Sequence, residues 1–137
     1  MARLPNFGGI FYSSDLQKIT FIGFPVAILI FHKDHWISIY IDEECLEVFD
    51  PLGVITNSAL KFLHFFLSTH LQNKILHCSP RIQSANHSNC GQFNICFLFS
   101  RLNCERSMNS FLNLFSSDQH SNSDLIEKLF NEINRNN

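Results

Sequence analysis

The chain has 137 residues, 45% of them apolar and 15 of them phenylalanine, and carries a net charge of −2. That length suits one domain, 1–137, whose core buries enough apolar surface to stand without disulfides or a structural metal. The charge argues against a nucleic-acid-tracking surface, and the apolar run Phe21–Phe31 is about half the ~20 residues that a membrane-spanning helix needs.

In chain order, residues 1–9 read as a flexible arm and a short helix follows to about Ile19. Gly8-Gly9 reads as a glycine turn entering that first element. A buried strand is expected near Val26–Phe31, with Gly23 and Pro25 marking its start. His35 opens His35–Ile41, where apolar residues alternate with small or polar ones as in a half-buried strand. A second strand, Cys45–Phe49, follows across Asp42-Glu43-Glu44, so the two form a hairpin. Asp50 ends that strand and is fixed by Pro51. In an antiparallel pair the first residue of one strand lies beside the last of its partner, which makes His35 and Asp50 neighbours. An aspartate there accepts from one imidazole nitrogen, fixes the tautomer and leaves the other nitrogen to face a thiol. The plainer alternatives are a strand-edge histidine bonded to backbone and a turn-initiating Asp-Pro.

A helix from about Asn57 to Leu71 comes next, with His64 and His70 on its exposed faces, then a strand at Lys74–Cys78 and a loop containing Gln83. The run Phe93, Ile95, Cys96, Phe97, Leu98, Phe99 and Leu102 predicts a buried helix from Cys90 to about Asn103, and Ser88, Asn89 and Gly91 suit its entry. Ser116–Ser123 reads as a polar linker, Asp124–Ile133 as a loosely packed last helix, and Asn134–Asn137 as a frayed tail. Strands in one block with helices around them indicate an α+β fold.

Cys90 at a helix start meets unpaired N–H groups and the positive end of the helix dipole, which favour thiolate over thiol. Acyl transfer through that thiolate passes through an oxyanion, and the Gln83 amide beside the Cys90 backbone N–H is the donor pair it needs. The alternative is an ordinary buried cysteine. Five cysteines form no even framework, which suits reduced thiols with one reactive member in a reducing compartment. A zinc site from Cys78, Cys90 and His77 or His87 lacks the usual ligand spacing, so no metal is expected.

Three blocks in order, His35-Trp36, Asp50-Pro51-Leu52-Gly53 and Gln83-x-x-Asn86-x-x-x-Cys90-Gly91, resemble the adenain family, the maturation proteases of adenoviruses, with relatives in other DNA viruses and virus-like transposons. The wider group includes the proteases that process SUMO and NEDD8. The Gln83-to-Cys90 spacing, with Asn86 between, fits the adenain branch better. Gly8-Gly9-Ile10-Phe11 with Ser14-Asp15-Leu16 is similar to the N-terminal segment of virus-like relatives.

The resemblance implies a central mixed β-sheet flanked by helices, with the catalytic cysteine at the N-terminus of a buried helix. It carries nucleophile onto Cys90, general base onto His35, imidazole-orienting acid onto Asp50 and oxyanion donor onto Gln83. Trp36, as a hydrophobic wall, Gly91 and Asn86 would contact substrate. Adenovirus enzymes carry glutamate where this chain has Asp50, whereas aspartate is usual in the SUMO-protease branch. The implied activity is a cysteine endopeptidase cutting beside glycine in capsid or core precursors, and Asn6-Phe7-Gly8-Gly9 is itself similar to such a cleavage sequence. A deubiquitinase or SUMO-type isopeptidase, and an inactive binding module of the same fold, are the alternatives.

Adenovirus enzymes are activated by DNA and by a short peptide joined through a disulfide. Here Lys61, Lys74, Arg81, Arg101 and Arg106 are scattered, so DNA dependence is not expected. Cys78 and Cys104 are the candidates for a peptide disulfide, but neither matches the family position and both read as buried structural thiols. No cofactor is therefore expected. The amino terminus lacks the layout of a signal peptide. The expectation is a monomer in the host cell nucleus or cytoplasm and in the virion, neither secreted nor in the membrane.

Overall fold

The computed structural model describes residues 6–21, 23–53, 59–70, 72–84 and 88–136, with the backbone alone at 59–62 and 64–65. Its elements run β1 (Phe7–Tyr12), a 3-10 turn (Ser13–Lys18), β2 (Val26–His32), β3 (His35–Ile41), β4 (Cys45–Phe49), α1 (Ala59–His70), β5 (Ile75–Cys78), α2 (Cys90–Asn103), α3 (Met108–Leu112) and α4 (Gln119–Arg135). This is an α+β fold around one sheet in the order β1-β2-β3-β4-β5. The sheet is mixed: the β2-β3 and β3-β4 pairs are antiparallel, while β1 and β5 join its edges in parallel.

Both faces of the sheet are covered, which explains the unbroken apolar run of β2. Ile28, Ile30, Ile37, Ile39, Ile41, Leu46 and Val48 pack with Leu16 of the 3-10 turn and with Leu63 and Phe66 of α1. Ala27, Leu29, Tyr40 and Phe49 belong to the other core, beneath α2, α3 and α4. There Phe49 and Phe97 stack at 4.5 Å, and Phe111 meets Phe97 edge-on at 5.7 Å. The alternation in β3 does not mark a half-buried strand as its pattern suggests. Ser38 and Tyr40, its apparent solvent side, are buried under α2.

Several boundaries differ from the sequence-based expectation. Phe7–Gly9, expected in an arm, lies in β1, and a side chain on Gly8 would come within 2.9 Å of Val26 Cγ2. Close strand packing thus accounts for that glycine. The polar stretch before the last helix is largely helix itself: Asp118 caps α4, its carboxylate accepting from the backbone N–H groups of His120 and Ser121. Asn122, Ser123 and Ile126 are buried, so α4 is part of the core, and it runs to Arg135 through the start of the expected tail. The short helix α3 was not foreseen. His70 packs against Phe21 and Phe66 rather than facing solvent, and burial lowers its pKa. Cys78 and Cys104, expected buried, are exposed. No helix among the described residues is long and apolar enough to cross a membrane.

Candidate active site

The β3-β4 hairpin, the turn after it and the first turn of α2 converge at one end of the sheet. The observed register pairs Ser38 with Phe49, so Asp50 falls opposite Ile37 and His35 is its diagonal neighbour two residues on. The two are therefore not directly opposed, as first-beside-last reasoning holds. A diagonal pair on one face is still within reach of long side chains. His35 Nε2 lies 2.5 Å from Asp50 Oδ1.

Asp50 is fully buried. The Ser79 hydroxyl accepts from its backbone N–H at 2.7 Å and donates to its carbonyl at 2.9 Å. The Leu52 N–H donates to its Oδ1 at 3.0 Å, and the Gly53 N–H closes a turn onto its carbonyl at 2.9 Å. Gly53 has φ +62°, and a side chain there would meet the Arg81 backbone N at 2.7 Å. This position requires glycine on both counts.

The same turn holds the glutamine loop. The Pro51 carbonyl accepts from the N–H groups of Ile82 and Gln83 at 2.8 and 2.9 Å. Arg81 Nε donates to the Gln83 carbonyl at 3.2 Å, and Asn122 of α4 donates to the Ile82 carbonyl at 3.0 Å. Gln83 is buried. Asn86 and His87 lie outside the described residues.

Cys90 is the first residue of α2 and is 9% exposed. Nε2 of His35 is engaged by Asp50, which leaves Nδ1 as the ring nitrogen free to serve the thiol. Burial disfavours the thiolate, but hydrogen bonds from His35 and from the Trp36 backbone N–H, with the His35 charge and the Gly91 N–H, outweigh it and lower the Cys90 pKa. For His35, burial disfavours the charged form, yet hydrogen bonds to Asp50 and Cys90 and their charges raise its pKa from 6.5 to about 9. A buried thiol without such partners behaves oppositely: burial pushes Cys96 on the same helix up to about 12.

Trp36 packs on Phe31 with ring centroids 4.6 Å apart. A Cβ on Gly91 would sit 3.4 Å from its Cδ1, so the indole lies directly against the start of α2. Sequence reasoning missed two polar residues here, Ser79 and Asn94. Asn94 is fully buried and bonded to β3, donating to the Trp36 carbonyl at 2.9 Å and accepting from the Ser38 hydroxyl at 2.6 Å. The available signal was an amide set between Phe93 and Ile95 in an apolar helix, since buried amides need partners. Among the described residues no group of three His, Cys, Asp or Glu side chains could hold a metal ion.

No family model matches the chain, and no curated protein does. Among solved structures it is similar to the central domain of the uncharacterized Lpg1148 protein from Legionella pneumophila. That likeness has a TM-score of 0.53 and 13% identity over 98% of this chain and 89% of that one. At such identity it speaks for the fold alone.

Proposed function

We propose that the chain is a cysteine endopeptidase of the adenain type, cutting beside glycine in capsid or core precursor proteins. The observation that carries this reading is the Cys90–His35–Asp50 arrangement: a thiol of lowered pKa at a helix start, bonded to an imidazole held by a buried carboxylate 2.5 Å away. The buried Cys96 on the same helix lacks that company, and its pKa moves the other way.

In this reading the Cys90 thiolate attacks the scissile carbonyl, and the protonated Nδ1 of His35 gives its proton to the leaving amine. The Cys90 backbone N–H and the Gln83 amide receive the oxyanion. Asp50 keeps the imidazole in one orientation throughout, and His35 then takes a proton from the water that releases the acyl group. Trp36 lies against Gly91, and in this reading its ring walls the approach to the sulfur, which suits glycine beside the scissile bond. The host cell and virion as place of action and action as a monomer belong to the same proposal.

Incubation with glycine-containing peptides, beside Cys90→Ala as control, tests it. Cleavage next to glycine by the unchanged chain alone is the expected result. Cleavage confined to ubiquitin or SUMO conjugates would replace the reading with an isopeptidase. A folded chain whose Cys90 ignores thiol-directed probes at neutral pH would replace it with an inactive module.

A further inference from the structure

β3 extends beyond its partner. Its pairing with β4 begins at Ser38, so Trp36 lies opposite Phe31 of β2 with no β4 residue on its other side. The first turn of α2 takes that place. The Trp36 N–H is among the groups that lower the Cys90 pKa, and the Trp36 carbonyl accepts from Asn94 Nδ2 at 2.9 Å. The same Nδ2 donates to the Cys90 carbonyl at 2.7 Å, and Asn94 Oδ1 accepts from Ser38 Oγ at 2.6 Å.

One amide thus has both donor hydrogens and its acceptor engaged, and its orientation is determined from three sides. Packing alone does not call for it. A helix position facing a sheet is filled at lower cost by alanine or leucine, because a buried amide must recover the hydrogen bonds it loses to water. What the amide adds is a fixed spacing between the Trp36 carbonyl and the Cys90 carbonyl, whose two residues also meet at the sulfur.

We propose that Asn94 is a positioning residue, holding the first turn of α2 on the Trp36 peptide so that Cys90 Sγ stays in reach of the Trp36 N–H and His35. Its effect on turnover rests on the peptidase reading above. Its effect on the thiol does not.

The test is iodoacetamide alkylation of Cys90 across pH, resolved by peptide mapping from the exposed Cys78 and Cys104. It is run on the full chain, Asn94→Ala and Ser38→Ala, with peptide cleavage measured in parallel. Asn94→Ala should alkylate about tenfold more slowly at pH 6, the effect of a thiol titrating about one pH unit higher. Its kcat should fall about 10²-fold, the scale of a misplaced reacting group. KM should hold, because a fully buried side chain touches no substrate. Ser38→Ala leaves both donations in place and should shift alkylation the same way by less.

Folded variants that both alkylate like the parent at every pH would overturn the proposal, as would lower stability or kcat with an unchanged alkylation profile. Should Asn94→Ala fail to fold, Ser38→Ala decides alone: a shifted profile supports the proposal and an unshifted one overturns it. A shifted profile in a chain that cleaves no peptide would sustain the role of Asn94 and sink the peptidase reading instead.

Discussion

Cys90 and His35 move each other's protonation in opposite directions, and the rate should inherit both shifts. In the proposed peptidase the competent state is thiolate with imidazolium, so kcat/KM should rise through the lowered Cys90 pKa, below the ordinary 9.0, and fall as His35 deprotonates at about 9. A profile measured from about pH 5 to 10.5 should be bell-shaped, and a rate still climbing beyond about pH 10 contradicts the assignment. Stability follows the same sign. His35 gains protons on folding, so its contribution is complete below 6.5 and is lost as pH rises through about 9, visible as a falling urea midpoint. Asp50 is the second residue to test. Asp50→Ala leaves the ring unheld and should cost about 10²-fold in kcat. Asp50→Asn keeps an acceptor for Nε2 and should cost less, since asparagine serves beside other Cys-His pairs. Without the carboxylate charge, its alkaline limb should also move down from about 9 toward 6.5. Equal losses in both variants would mean that orientation is not what Asp50 supplies.

At the level of elements, α2 is fastened to the sheet at two places. Asn94 joins its first turn to β3. At its other end Arg101 donates to Glu47 of β4 at 2.7 and 3.3 Å and lies 3.9 Å over the Tyr40 ring. The side chains are only 13% and 6% exposed, so solvent does little to screen the pair. Removing one partner strands a buried charge. Arg101→Met should therefore cost about 3 kcal/mol in urea unfolding, and Glu47→Gln added to it should return most of that loss. A single variant within about 0.5 kcal/mol of the parent would show the pair to be dispensable. The central elements were legible because their patterns are local: β3, β4 and α2 fall at the expected residues, and a turn-forming Asp-Pro was enough to bring Asp50 near His35. What escaped was set by tertiary context. Burial of β3 on both sides depends on α2, far along the chain. A cap at Asp118 turned a polar stretch into helix, because Asn122 and Ser123 found places inside. The roles of Ser79 and Asn94 rest on backbone groups that only the fold brings to them.

Across the whole molecule, the last helix reaches back to the site. Asn122 donates to the Ile82 carbonyl at 3.0 Å and to the Ser116 carbonyl at 2.8 Å, and it accepts from the Ser116 N–H at 2.8 Å. The Gln83 loop is thus held on one side by the Asp50-Pro51 turn and on the other by α4, whose Ile126 is fully buried in the core beneath α2. Gln83 would act only in the oxyanion state, so loosening its loop should spare the thiol and slow the chemistry. Removing an oxyanion donor outright costs about 10²–10³-fold in kcat, and a displaced donor should cost a fraction of that. Asn122→Ala is therefore expected to lower kcat roughly tenfold with the Cys90 alkylation profile unchanged. Gln83→Ala should show the larger loss, and the two changes together should cost no more than Gln83→Ala alone, because both act through one amide. Fully additive losses, or a shifted alkylation profile in Asn122→Ala, would mean that α4 acts on the cysteine itself and not through the glutamine loop.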